Sequence, residues 1–218
     1  MLLTSSKFVI LFERRLVVVS APGKRFEDDI KVTDMLINLA NSYIKSGNAQ
    51  DCEVELMAVV DRYKSIALDL NMSLDIIDII EADLRSRLNT RDDNDKKFMD
   101  LMKAAGEDNS AKLVAGYLKS TGINAAYINP KDAGEQLFEL NNRVELMIFP
   151  GFFGYSKTGE VVTFSRGGSD VTGAVLAAAV EASVYENFTD VDSVYAASPK
   201  IVKNPKPIPI FTYAEMRE

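Results

Sequence analysis

The chain has 218 residues, 47% of them hydrophobic, which is enough for one sizeable core and short for two. Its net charge of -7, with no basic patch, argues against a nucleic-acid surface. The absence of histidine excludes Ser-His-Asp triads and histidine metal sites, and the single cysteine excludes an intramolecular disulfide. The sequence contains no apolar run of membrane-spanning length and no convincing signal peptide. We therefore expect one soluble, cytoplasmic domain with no membrane partner.

The first clear elements are a strand and a helix. Leu16–Val19 is an apolar, valine-rich run that predicts a buried strand, and Pro22 and Gly23 end it in a loop. From Val32 the apolar residues recur at helical spacing, and Gly47 marks the stop. Thr33 lies in the first turn of this helix, where the simplest role of a threonine is a cap.

The middle of the chain reads as helical. Two or three helices are predicted over residues 50–104, and the charged stretch 91–97 is a solvated connection or a first turn. Glu107 then precedes another amphipathic run. From the sequence alone it is an acidic residue at a helix start, where the helix dipole favours it.

Strands are predicted over residues 123–128, 144–149 and 184–188. A short helix is expected over residues 133–140, and a hairpin tip over residues 155–158.

The stretch 164–182, FSRGGSDVTGAVLAAAVEA, suits a ligand floor. A strand over residues 160–164 in a mostly buried sheet leads into Gly167 and Gly168, whose backbone can approach an anion closely. Ser169 and Asp170 are N-cap candidates for a buried, alanine-rich helix. Arg166 offers a planar fork to a carboxylate or phosphate. A plain strand-to-helix turn with a solvated arginine explains the same residues.

Three segments carry a resemblance: FSRGGSDVTGAVLAAA, YENFTDVDSVYAASPKIV downstream and VVVSAPGKR upstream. Together they resemble the aspartokinases, members of the amino acid kinase family, and the similarity covers residues 14–218. The resemblance implies a three-layer α/β/α sandwich around a mainly parallel central sheet. It also implies a single kinase catalytic domain over residues 1–218, without regulatory domains.

The ends of the chain depart from the family pattern. Aspartokinases open with a strand ending in Lys-Phe-Gly-Gly, whereas Lys7 and Phe8 are followed here by Val9 and Ile10. Too few residues then remain for a helix before the next strand. We expect a domain that is incomplete at both ends and has an uncovered sheet edge.

The reaction implied by the resemblance is transfer of the γ-phosphoryl group of ATP to the β-carboxylate of L-aspartate, the first step towards lysine, threonine and methionine. Mg²⁺ would arrive with ATP. Glu107 would bind the substrate ammonium, and Arg166 its α-carboxylate. The implied substrate-binding residues are Thr33, Glu107, Arg166, Gly167, Gly168 and Ser169.

The remaining implied residues serve the phosphoryl group and the nucleotide. Asp170 would orient the lysines that hold the phosphoryl group, and Lys7 would be one of the catalytic residues. The implied nucleotide-binding residues are Thr189, Asp190, Tyr195 and Lys200.

Other readings stay open. Loss of one charge-stabilising donor typically costs about 10²- to 10³-fold in rate, so the chain could be a catalytically impaired fragment that acts as an amino-acid-binding or regulatory polypeptide. A kinase acting on glutamate or a nucleotide monophosphate is a third reading, against which RGGSD and TDVDSVY argue. A homo-oligomer remains open.

Overall fold

The structure, a computed structural model, describes residues 15–91, 93–133, 145–164, 167–188, 195–197, 201–210 and 212. The chain divides into two compact units, Met1–Tyr185 and Glu186–Glu218. None of the helices in the described ranges combines the length and apolarity needed to cross a bilayer.

Among the described residues, the first unit has a parallel sheet of three strands in the order β1-β3-β2: β1 (Leu16–Val19), β2 (Ala125–Tyr127) and β3 (Leu146–Pro150). Val17 lies opposite Ile148, and Ala126 opposite Met147. Because all three strands run the same way, their carboxyl ends meet at one edge, where open α/β sheets bind ligands.

The α-helices whose bounds lie within the described residues are α1 (Val32–Ser46), α2 (Glu53–Asp69), α3 (Asp75–Asn89), α4 (Asp95–Ser120) and α5 (Gly168–Ala179). A short 3₁₀ turn, Ala49–Cys52, joins α1 to α2. The charged stretch 91–97 is the connection into α4, whose Asn94 side chain caps the helix by accepting a hydrogen bond from the Lys97 amide.

Strand alternation gives the sheet two apolar faces. Val17 and Ile148 belong to a cluster with Val114 and Leu118 of α4. Val18 and Phe149 belong to another cluster, with Leu176 of α5. The layers are therefore helix, sheet and helix, which confirms the predicted architecture.

The largest core cluster is helical and lies among α1, α2, α3 and the first half of α4. Fully buried side chains such as Leu36, Tyr63 and Leu84 form it, together with Phe98 and Met102 of α4. A single helix, α4, thus packs on both the helical cluster and the sheet.

Residues 160–164 do not enter the buried sheet as predicted. Instead β5 (Val161–Thr163) pairs antiparallel with β4 (Phe153–Tyr155), and residues 156–160 connect them, which places the predicted hairpin tip correctly. Thr163 attaches this ribbon to α4, because its hydroxyl donates to Asp100 at 2.7 Å and accepts from Lys103 at 3.0 Å. The short β-branched run was thus read correctly as a strand and assigned to the wrong sheet.

The predicted strand over residues 184–188 is also wrong. Val184, Tyr185 and Phe188 are all exposed, and no strand in the described part of the chain pairs with them. In the expected helix 133–140, residues 130–133 are helical and 134–140 lie outside the described residues. In the second unit, the backbone shows one isolated bridge among its described residues, between Tyr195 and Pro207.

Candidate functional site

The carboxyl edge of the parallel sheet brings the ends of β1 and β3 against the start of α5. Ser20, the first residue after β1, donates its hydroxyl to that of Ser169 at 2.8 Å. Gly151, the first residue after β3, lies so close that an added Cβ would stand 2.7 Å from the Ser169 Cα. Ser169 is thereby held over the sheet edge by both strands.

The turn into α5 uses glycine for two different reasons. Gly167 is the N-cap residue and has a φ of 58°, in the left-handed region that favours glycine. Gly168 is buried, and a Cβ there would lie 2.8 Å from the Phe152 Cα. Packing against Phe152 therefore excludes a side chain at Gly168, and the close approach of an anion to this turn stays a prediction.

Ser169 and Asp170 do not cap the helix, contrary to the sequence prediction. Both lie within the first turn of α5, and the left-handed Gly167 precedes it without a side-chain cap. Because the Ser169 hydroxyl does not cap the helix, it is available to bind a ligand at the sheet edge. The exposed Asp170 receives a hydrogen bond on its backbone oxygen from the Tyr185 hydroxyl at 3.1 Å.

Glu107 occupies the interior of α4, not a helix start, so the dipole explanation fails. α4 runs without a break from Asp95 to Ser120, and Glu107 is only 5% exposed. Its Oε2 atom has no hydrogen-bond partner among the described residues. A buried carboxylate oxygen with no partner is costly unless a ligand or water satisfies it.

Burial governs the acidity of Glu107. Loss of solvent raises its pKa to about 7, although hydrogen bonds from the backbone amides of Ala21 and of Glu107 itself act in the opposite direction. Ala21 follows Ser20, so the chain segment that contacts Ser169 also contacts the carboxylate. A cation placed at Oε2 would favour the ionised form.

The next residue in α4, Asp108, shows what a satisfied carboxylate looks like. Its side chain accepts from Arg87 at 2.6 Å and from Lys112 at 2.8 Å, and the Tyr127 hydroxyl donates to its other oxygen. These ion pairs tie α4 to α3 and β2. Of these two neighbouring carboxylates, Glu107 is the one that has an oxygen without a hydrogen bond within the described residues.

Thr33 belongs to the helix turn that packs next to Gly106, the residue before Glu107. It is half-buried in the first turn of α1, and its neighbour Val32 has a methyl group 3.8 Å from the Cβ position of Gly106. Lys31, not Thr33, is the N-cap residue of α1, so the simple capping role is wrong.

The structure thus brings together Glu107, the segment bearing Thr33, and the turn of Gly167, Gly168 and Ser169. Tyr195 belongs to the second unit, where the amide of its neighbour Ala196 donates to the Lys206 carbonyl at 3.1 Å. The remaining predicted residues lie outside the described part of the chain: Lys7, Arg166, Thr189, Asp190 and Lys200.

Sequence reasoning missed Ser20, Ala21 and Gly151. All three immediately follow a buried parallel strand, and that position is the signal by which they could have been found. Within the described ranges, acidic and cysteine side chains form no group of three or more suited to a metal ion.

The sequence of this chain is similar to those of known proteins. The model of the amino acid kinase family matches residues 6–218. Aspartokinase 3 of Bacillus subtilis is 47% identical over 222 residues, covering 94% of this chain and 48% of the relative. Aspartokinase 1 of the same organism is 34% identical over 134 residues, covering 54% of this chain and 33% of the relative.

Solved structures of aspartate kinases are also similar to this chain. The aspartate kinase of Clostridium acetobutylicum superposes with a TM-score of 0.73 at 32% identity, over 91% of this chain and 46% of that one. Escherichia coli aspartokinase III in complex with aspartate and ADP has a TM-score of 0.62 at 24% identity, over 89% and 46%, a likeness in fold. The chain spans less than half the length of these relatives.

Proposed function

The chain belongs to the amino acid kinase family, and from that premise we propose that it is the catalytic part of an aspartate kinase. The substrates are ATP and L-aspartate. An oxygen of the aspartate β-carboxylate attacks the γ-phosphorus, the bond to the β-phosphate oxygen breaks, and aspartyl phosphate and ADP leave. The extensive similarity to aspartokinase 3 of Bacillus subtilis supports this choice of substrate.

One observation carries the proposal: one oxygen of the buried Glu107 carboxylate has no hydrogen-bond partner in the described part of the chain, and Glu107 follows Gly106, which packs against Ala21 of the loop after β1. An α-ammonium group supplies both the hydrogen bond and the charge that this oxygen lacks. Ser169 accepts a hydrogen bond from Ser20 at the same edge and keeps its own hydroxyl hydrogen to donate to the substrate, while the Ser20 oxygen can accept one. Thr33 and the Arg166 guanidinium complete the amino-acid site, with Arg166 on the α-carboxylate.

The phosphate side of the proposal rests on the family resemblance. Lys7 and Asp170 act at the transferring phosphoryl group, and the nucleotide contacts are Thr189, Asp190, Tyr195 and Lys200. Mg²⁺ would enter with ATP, held by phosphate oxygens and water, and would neutralise phosphate charge. Alignment and charge neutralisation supply most of the catalysis in such transfers, and none of this needs histidine.

The test is an assay in which hydroxylamine traps the acyl phosphate product. Purified protein is given ATP, Mg²⁺, L-aspartate and hydroxylamine, and we expect aspartate-dependent hydroxamate. Glu107→Gln keeps the shape of the side chain but loses its charge, and should lower kcat/KM for aspartate by about 10- to 100-fold. Glu55→Gln is the matched control, because Glu55 lies on α2 and accepts a hydrogen bond from Ser42.

Two outcomes oppose the kinase proposal. Hydroxamate no higher than in a reaction without protein would remove it. Aspartate binding without hydroxamate would favour the non-catalytic amino-acid-binding polypeptide instead.

A further inference from the structure

Two consecutive buried residues of α2 contact the segments that carry the proposed amino-acid site. Arg62 is 5% exposed and Tyr63 is 1% exposed, and the helix directs them to different partners. Arg62 contacts the loop between β1 and α1, whereas Tyr63 contacts α4. α2 itself forms no part of the sheet edge, so these are its links to the site.

Arg62 holds the β1–α1 loop at three points. It donates to the Gly23 carbonyl at 3.2 Å, to the Asp29 carboxylate at 2.8 Å and to the Ile30 carbonyl at 3.0 Å. The buried Asp29 also accepts hydrogen bonds from the backbone and side chain of Arg25, and these bonds hold the pKa of Asp29 far below its usual range. All of these partners lie in the loop that begins at Ser20 and Ala21.

Tyr63 holds the other side of the same contact. Its hydroxyl donates to the Gly106 carbonyl at 2.6 Å, one residue before Glu107. This carbonyl lies inside α4, where a helical hydrogen bond already uses one lone pair, so the tyrosine adds a second. Gly106 is also where the loop touches α4, because an added Cβ would lie 2.8 Å from the Ala21 Cβ.

Between these two anchors, Ala21 packs against Gly106, and the Ala21 amide lowers the pKa of the adjacent Glu107 carboxyl against the effect of burial. A buried ion pair contributes little net stability compared with well-packed apolar residues, so Arg62 is poorly explained as a contribution to the core. Its bonds order a loop that has little regular structure of its own. The arrangement fixes the Ala21 donor through Arg62 and the Glu107 acceptor through Tyr63.

We propose that Arg62 and Tyr63 are positioning residues for the substrate's ammonium group, acting through Ala21 and Glu107. This rests on the proposed function. Neither residue touches substrate. Their effect falls on aspartate and not on ATP, since their contacts lead to the Glu107 side of the site.

The test compares steady-state constants for both substrates. Tyr63→Phe removes one hydroxyl and keeps the ring, and should raise KM for aspartate about three- to tenfold while KM for ATP stays within twofold. Arg62→Lys keeps the charge but loses the fork, and should shift the same constant in the same direction. The matched controls are Tyr43→Phe and Arg85→Lys, which change side chains of α1 and α3 that contact neither the loop nor Gly106.

Each result is decisive. Equal KM changes for both substrates, or no difference between each variant and its control, would overturn the positioning role while leaving the kinase intact. A wild-type protein that forms no aspartyl phosphate would overturn both proposals together. If Tyr63→Phe fails to fold, Arg62→Lys decides alone.

Discussion

Glu107, the proposed ammonium-binding residue, is one that stability alone would not select. The pKa of Glu107 is about 7 in the folded protein, against an ordinary 4.5. At pH below about 4.5 the carboxyl is protonated in both the folded and the unfolded protein, so its ionisation costs no stability. The cost grows as the pH rises and is complete above about 7, where it reaches the order of 3 kcal/mol. A substrate cation at Oε2 recovers part of that energy, which couples binding to ionisation.

The pH dependence of the reaction should report this ionisation. Because only the ionised Glu107 attracts an ammonium group, we expect kcat/KM for aspartate to rise with pH through about 7 and then level off. Measurement of kcat/KM between pH 5.5 and 8.5 checks this. Glu107→Gln should lose that rise, and a variant that keeps the wild-type profile would assign the titration to another group.

At the scale of elements, α4 is the clearest difference between prediction and structure. The sequence indicated a break near Gly106, since glycine in a helix interior costs about 1 kcal/mol relative to alanine. The helix nevertheless runs through Gly106, and the glycine is there because the β1–α1 loop packs too closely for any larger residue. That reason is tertiary, and helical periodicity cannot reveal it.

The turn into α5 offers a prediction about an element as a whole. Gly151→Ala would put a methyl group about where Ser169 now lies, since an added Cβ would be 2.5 Å from the Ser169 Oγ. We expect the start of α5 to be pushed from the sheet, with at least a tenfold loss of kcat/KM and a stability loss of about 1–3 kcal/mol. Chemical denaturation and the hydroxamate assay measure the two effects.

Gly154→Ala is the control for this change, because the Cβ position of Gly154 has no atom within 4 Å. Equal behaviour of the two variants would mean that the Gly151 contact does not position Ser169.

At the scale of the molecule, the layer order was predictable but the ribbon was not. Apolar strands with amphipathic helices between them specify a parallel sheet covered by helices, and the structure has one. The run 160–164 looks the same whether it joins a buried sheet or a ribbon. Its location depends on the polar contacts of Thr163 with α4. Of the proposed site, Glu107 was predicted from the family resemblance, and Ser169 and the two glycines from the glycine-rich turn and that resemblance. Ser20 and Ala21 could not be predicted, because they depend on spatial convergence.

Ligand binding should register in the stability of the whole molecule. L-Aspartate at 100 times its Kd should stabilise the folded state by about 2.7 kcal/mol and raise Tm by roughly 5–10 °C. N-Acetyl-L-aspartate is the matched ligand, because it keeps both carboxylates and lacks the ammonium group. Differential scanning calorimetry compares them, and equal shifts would exclude Glu107 as the ammonium receptor.

The contact between Ala21 and Gly106 also constrains how such a sequence can diverge. Because a Cβ added at position 106 would lie 2.8 Å from the Ala21 Cβ, any side chain larger than hydrogen at 106 requires the loop to move away. A larger residue at position 21 would crowd the same contact with Gly106. Changes at either position therefore have to be accompanied by rearrangement of the loop, and the two form a linked pair in any lineage that keeps this pocket.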